Sequence, residues 1–206
     1  MQKAIMDITI KTILGKDIAH YIEFLAEFRI QAFRDFPYLY AGDIENERKY
    51  LNSYLTNPQA MLVLAMEKER IIGFLVGIPL VSDFPALEGI REHCVKQGLD
   101  PSEVYYCGEG IVAPAYQSKG LMSRIYSLYE VQLKKWGFKH VSFMTVKRSK
   151  RHPLKPKHYL DSVSIWRHKG FQPIGYEISL NWPTILSTGN VKNSKNQLMF
   201  WLKTFA

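Results

Sequence analysis

Tyr105 to Tyr129 reads YYCGEGIVAPAYQSKGLMSRIYSLY, and no other stretch restricts the fold as much. Tyr105 to Val112 is apolar and aromatic enough for a buried strand, and Pro114 stops it. Gln117-Ser118-Lys119-Gly120 then leads into an amphipathic helix in which Leu121, Ile125, Leu128, Tyr129 and Trp136 recur at helical spacing, with Gly137 as its C-terminal stop. The first turn of a helix leaves backbone N–H groups without partners, and a glycine there lets an anion come close to the main chain. This order of strand, tight loop and helix suits a pyrophosphate. Local pattern alone leaves an ordinary strand-to-helix turn as the alternative.

The rest of the chain predicts a mixed sheet with helices. Asp7 to Leu14 alternates as a first strand, Lys16 to Phe36 is helical with Ile18, Ile22, Leu25, Phe28 and Ala32 on one face, and Asp43 caps a second helix through Leu55. Ala60 to Met66 and Ile71 to Ile78 are apolar strands joined at Glu67-Lys68-Glu69-Arg70, a hairpin turn without glycine. Val81 to Glu103, with a helix near Leu87 to Gln97, reads as an insertion before the motif strand. After the motif helix come a strand at Val141 to Val146, a basic loop, a helix near Tyr159 to Lys169, and strands near Phe171 to Leu180 and Gln197 to Thr204.

The 206 residues, 47% hydrophobic and 13% aromatic, suffice for one domain with a substantial core, so 1–206 reads as a single domain with 81–103 inserted. No apolar run is long enough to span a bilayer, and MQKAIMDITI lacks an apolar segment followed by a small-residue cleavage site. Cys94 and Cys107 have neither metal-ligand nor disulfide spacing and read as buried small hydrophobes. A cytoplasmic location without membrane attachment is the expectation. Lysine and arginine outnumber aspartate and glutamate by 27 to 19, for a net charge of +8, and KRSKRHPLKPKH at Lys147 to His158 holds much of the excess. Interrupted by Pro153 and Pro156, it reads first as a solvated loop; the sharper reading is that its cations meet cofactor phosphates or an acidic acceptor. It lacks the aromatic interleaving of a nucleic-acid platform, and no motif points to nucleic acid.

At Val112-Ala113-Pro114 and Gln117-Ser118-Lys119-Gly120 the chain resembles the GCN5-related N-acetyltransferases, whose acyl-CoA motif is a strand ending in V-x-P, then [QR]xxGx[GA], then a helix. The closing SIWRHKGF is similar to the family's last helix and its Gly-Phe entry into a strand, and the order of elements matches over nearly the whole chain. The resemblance implies the acyl-CoA N-acyltransferase fold, of mixed α/β (α+β) class: a central splayed, mostly antiparallel sheet flanked by helices. It implies acetyl transfer from acetyl-CoA to an amine by direct attack on the thioester, with no metal. Ile111, Val112, Gln117, Ser118, Lys119, Gly120, Leu121 and Met122 are the implied cofactor-binding residues, and backbone N–H groups near Gly110, Ile111 and Val112 would meet the oxyanion if the strand bulges or splays there. Glu109, three residues before Val112 where many members carry a carboxylate, is the implied base; a partly buried ion-paired carboxylate is its structural alternative.

Two positions depart from the family pattern. Met122 stands where glycine or alanine is usual, and Trp166 stands where many members place the tyrosine that protonates the leaving thiolate. An indole N–H is no proton-transfer acid near neutral pH. Ser162, one turn before Trp166, is the candidate substitute, with Tyr159 nearly two turns away; His158 and His168 are expected outside the site. The acceptor is an amine-bearing small molecule or a peptide or protein, and the protein a monomer or homodimer. FRDFPYLY at Phe33 to Tyr40 either supplies aromatic faces and Asp35 for such an amine or simply fills the gap between helices and sheet, and the insertion 81–103 is a candidate cover for the same pocket. An acyl-CoA-binding regulatory or interaction module without turnover is the alternative function, and a longer acyl donor a third reading.

Overall fold

The computed structural model describes residues 8–84, 87–159 and 163–205. Twelve principal elements follow in chain order: β1 Ile8–Leu14, α1 Ile22–Phe33, α2 Ile44–Asn52, β2 Met61–Glu67, β3 Arg70–Pro79, α3 Glu88–Lys96, β4 Val104–Val112, α4 Leu121–Lys135, β5 His140–Val146, α5 Val163–His168, β6 Gln172–Ile185 and β7 Val191–Thr204. The strands form one sheet in the order β1-β2-β3-β4-β5-β7-β6, antiparallel except where β4 meets β5. A mostly antiparallel mixed sheet flanked by helices is the predicted architecture.

Two apolar layers cover the sheet. Leu62, Leu64, Phe74, Val76 and Tyr106 face Leu25, Leu51 and Ile90 beneath α1, α2 and α3. Met61, Val63, Tyr105, Val141 and Trp201 face Leu121, Ile125, Tyr129 and Leu133 of α4. The period-2 alternation of strand side chains sends successive residues to opposite layers, which is why β2, β3 and β4 are apolar throughout. Leu128, expected on the buried stripe of α4, is 45% exposed, and Tyr126 takes its place.

Local signals set several boundaries correctly. Asp43 caps α2 by accepting from the Asn46 N–H at 3.0 Å. The glycine-free hairpin turn is closed by Lys68 at φ +57, and Gly137 ends α4 at φ +84. Cys94 and Cys107 are buried thiols. Other boundaries differ. The first predicted helix divides into a 3-10 segment, Gly15–Tyr21, and α1, which stops at Phe33. The closing helix is described over Val163–His168, and Tyr159 is not helical. β6 and β7 extend to Ile185 and from Val191, well past the expected ends, because their polar outer halves pair with each other from Leu180↔Asn196 to Ile185↔Val191. No helix among the described residues is long and apolar enough to cross a membrane.

Gly77 is a test of this packing. A Cβ there would overlap the Tyr129 hydroxyl and the Tyr106 carbonyl, and a backbone carbonyl in a paired strand has little room to give. Gly77→Ala is expected to lower unfolding free energy by about 3 kcal/mol in urea titration.

Candidate functional site

The site grows out of the end of β4. Its parallel pairing with β5 covers Val104↔His140, Tyr105↔Val141 and Tyr106↔Ser142 and then ceases. Beyond Tyr106, β4 remains paired with β3 on its other edge as far as Gly73↔Val112. The β5-facing backbone groups of the outer half of β4 therefore have no strand partner, and such groups demand another donor or acceptor. Within the gap opens a cavity of about 310 Å³, crossed by Gly108, Glu109 and Gly110 on one side and by the β5 continuation at Thr145 to Arg148 on the other.

The strand does bulge, but earlier than expected. Val76 pairs with Glu109 and Gly77 with Cys107, which leaves Gly108 as the extra residue. Gly110, the expected place, is paired with Leu75. The bulge changes the alternation: Cys107 belongs to the α4 layer, while Glu109 turns to the opposite face and meets residues of α1 and α2. Gly108 faces Tyr54, whose hydroxyl a Cβ there would overlap.

Glu109 is 6% exposed and ion-paired, the arrangement given above as its structural alternative, and its Oε2 keeps acceptor capacity. Its Oε1 pairs with Arg29 Nη1 and accepts from the Tyr50 hydroxyl, and its Oε2 accepts from Tyr54 Oη at 3.4 Å. Arg29 in turn pairs through Nε with Glu47, itself buried. Burial pushes the Glu109 carboxyl above the ordinary carboxylate range, opposed first by Arg29 and then by the Tyr50 hydrogen bond. Burial, followed by the Glu109 charge, drives Tyr50 and Tyr54 upward as well, so both hydroxyls stay protonated and donate. Sequence pattern singled out Glu109 but missed Arg29, Glu47, Tyr50 and Tyr54. The available signal was a charged residue on the buried face of each of two helices, Arg29 beside Leu25 and Ala26, and Glu47 before Leu51.

The expected cofactor-binding residues cluster at the opposite side of the same strand end. Ile111 and Val112 close β4 and face opposite layers. Gln117 Nε2 donates to the Val112 carbonyl at 3.0 Å, which closes the loop onto the strand. Ser118 and Gly120 take left-handed backbone angles, φ +58 and +76, and Gly120 is the residue from which α4 starts. A Cβ on Gly120 would meet nothing within 4 Å, so the space before the helix N-terminus is open to a ligand. Lys119 folds back, its Nζ donating to Ala115 O at 2.7 Å, and Leu121 is buried under α4. Met122 lies over Gly110: its Cε and Sδ sit 3.3 and 3.6 Å from where a Gly110 Cβ would be. The bulk at Met122 is thus matched by the missing side chain at Gly110.

Trp166 is part of an aromatic wall, with ring centroids 5.0 Å from Phe143, 5.6 Å from Phe171 and 5.7 Å from Tyr126. It lines the cavity, as does Tyr159, which the loop brings edge-on to Phe36 at 4.8 Å. Ser162 lies outside the described residues. Asp35 is exposed and absent from the lining, whereas Phe33, Phe36 and Tyr38 contribute to it. The insertion gives no described lining residue: α3 packs away from the cavity, with His93 stacked on Tyr176 of β6 at 4.5 Å. The basic loop is more than a solvated surface. Arg148 donates to the carbonyls of Pro37 and Tyr38 at 2.7 and 2.9 Å and so ties that loop to the aromatic segment.

The sequence profile described as the acetyltransferase (GNAT) family matches residues 23–154, and the chain belongs to that family. No curated protein matches the sequence. Among solved structures, the chain is similar to a ribosomal-protein-alanine N-acetyltransferase from Brucella melitensis, with 13% identity, a TM-score of 0.59, and 96% of this chain and 99% of that one covered. It is also similar to the PaiA N-acetyltransferase from Thermoplasma acidophilum in complex with coenzyme A, with 14% identity, a TM-score of 0.58 and coverage of 97% and 100%. A third is the ribosomal-protein-S18-alanine N-acetyltransferase from Escherichia coli, with 11% identity, a TM-score of 0.56 and coverage of 97% and 95%. At these identities the likeness is one of fold.

The charge network makes a direct prediction. In Arg29→Gln/Glu47→Gln, which removes one charge of each sign, Glu109 loses its main stabilising cation while its burial persists. Its titration midpoint, followed by carbon-13 NMR, should rise by about one unit or more. An unchanged midpoint would mean that Arg29 does not govern this carboxyl.

Proposed function

We propose that the protein transfers an acetyl group from acetyl-CoA to an amine. The observation that carries this reading is the parting of β4 from β5 beside an open helix N-terminus, because it offers one cofactor two complementary surfaces. Backbone N–H groups of the first α4 turn, with Ser118 and Gly120 in the approach, suit a pyrophosphate. The β5-facing edge of the main chain at Gly110 and Ile111, which has no strand partner, suits the amide-bearing arm and the thioester oxygen. Ile111, Val112, Gln117, Ser118, Lys119, Gly120, Leu121 and Met122 form this cofactor side. The chain is read as a single domain with 81–103 inserted.

Glu109 acts as the base in this reading. An alkylammonium, with a pKa of about 10.4, must lose a proton before its nitrogen can attack. A buried carboxyl with a raised pKa is better matched to that transfer than an exposed one. The ammonium gives its first proton to water before attack; the C–N bond then forms as the C–S bond breaks, the second amine proton passes to Glu109, and the sulfur departs as thiolate. Direct transfer is favoured over an acyl-cysteine, because burial drives the Cys107 thiol well above its ordinary range and keeps it protonated. A thiolate is a competent leaving group, so Trp166 in place of a tyrosine slows the last proton transfer without forbidding it. Ser162 is the proposed donor of that proton, and Ser162→Ala should lower turnover by less than about tenfold.

The two sides of the site separate by mutation. Gly120→Glu puts bulk and negative charge against the phosphates and is expected to abolish detectable CoA binding in calorimetry, with the circular dichroism spectrum retained. Retained affinity would move the phosphate site elsewhere. Glu109→Gln is expected to keep CoA affinity and lower the rate of CoA release by about 100-fold with an accepted amine. Wild-type binding without acceptor-dependent CoA release, across a broad amine panel, would favour the binding-module reading.

A further inference from the structure

The charge on the cavity wall is one-sided. Lys147, Arg148, Lys150 and Lys155 line it, and Glu109 is the one acid among the described lining residues. Glu109 is already engaged by Arg29, and Lys147 by Glu177 at 2.6 Å. Among the described residues, no carboxylate lies within ion-pair distance of Arg148, Lys150 or Lys155.

Position separates these cations from the pyrophosphate loop. Arg148 is bonded to Pro37 and Tyr38, and Tyr38 packs against the core layer beneath α1 and α2. Lys155 lies 5.8 Å from the Tyr159 ring, which meets Phe36 of the same aromatic segment. Leu121 and Ile125 at the start of α4 belong to the other layer. Arg148 and Lys155 are therefore held on the Phe33 to Tyr40 side of the gap and not at the start of α4. A simple ammonium would be repelled by this wall, whereas an amine with its own anion would be drawn in. Anchoring Arg148 through two carbonyls fixes its guanidinium and leaves further N–H donors for a ligand. The cavity, about 310 Å³, is at the small end of the range for ligand sites.

We propose that the acceptor is a small amine carrying a carboxylate or phosphate close to its nitrogen, the anion held by Arg148, Lys150 and Lys155 while the nitrogen reaches towards Glu109. This deepens the transferase reading and rests on it. The two fail differently under calorimetry of the full chain, first with CoA and then, on the CoA-saturated protein, with matched amines. The probes are L-phenylalanine against L-phenylalaninamide and O-phosphoethanolamine against ethanolamine, so that carboxylate and phosphate are read separately. In at least one pair the anionic member is expected to bind about tenfold or more tightly. Lys150→Ala/Lys155→Ala, at two exposed positions, should cut that preference by a similar factor without changing CoA affinity. Equal affinities within both pairs, tighter binding of the members that lack the anion, or no binding of any probe to the CoA-saturated protein overturns the acceptor proposal alone. Failure to bind CoA overturns the transferase reading and the acceptor proposal together.

Discussion

One extra residue, Gly108, determines which face of the sheet Glu109 looks onto, and the organisation of the site follows from it. In strict alternation Glu109 would share a face with Tyr105 and Cys107 and would be buried against the apolar stripe of α4. The bulge turns it instead towards Arg29, Tyr50 and Tyr54, whose charge and hydroxyls compensate its burial. A glycine is required because the Tyr54 hydroxyl occupies the space a side chain would need. Within the same few residues β5 leaves β4, so an acid on one face and unpaired main chain at the edge come to the same gap.

The Arg29 network shows how such a site is kept rigid. Burying three charged groups costs several kcal/mol each before any attraction is counted, and continuum reasoning gives such a triad little net stability. Its effect is on geometry. Arg29 bridges Glu47 on α2 and Glu109 on β4, so the two helices and the strand share one charged contact. Removing Arg29 would leave two buried carboxylates without their cation, at about 3–5 kcal/mol, which opposes withdrawal of the arginine from either partner. The arginine is also stacked between Phe33 and Tyr50, 4.9 and 4.4 Å from their ring centres.

The half of the site that is local in sequence was readable from it. Val112-Ala113-Pro114 and Gln117 to Gly120 announce a strand end, a turn and a helix start through proline, glycine and the helical period, and those signals act over a few residues. The half built from distant segments was not. Arg29 and Glu109 are far apart in the chain, and nothing in either neighbourhood marks the other. The sequence GEG offers two glycines for a bulge, and only the space under Tyr54 chooses Gly108, while the stretch from Gly110 to Val112 parts from β5 without one. The outer halves of β6 and β7 read as loop because Pro183, Asn193, Lys192 and Lys195 are poor strand formers; mutual pairing and contacts to Leu39, Tyr40 and Ala41 offset that preference. Lys147 to His158 reads as solvated chain because nothing in its own composition marks the hydrogen bonds that Arg148 donates to the distant Pro37 and Tyr38 carbonyls.

Two segments that look irregular in sequence thus make one wall. Phe33 to Tyr40 is held on one side by β6, where Ile185 N–H donates to Leu39 O at 2.7 Å and Trp182 Nε1 to Tyr38 O at 3.2 Å, and on the other by Arg148. The wall stands across the gap from α4, so cofactor and acceptor would enter from different faces of the sheet and meet where the strands part. That meeting requires a single acyl-CoA site per chain. Calorimetric titration with acetyl-CoA, run beside ATP, measures it most directly. The account predicts saturation near one per chain and affinity at least about 100-fold above that for ATP, since ATP supplies phosphates but no arm for the gap. Equal, weak binding of both would mean that the basic surface alone attracts them and would contradict it.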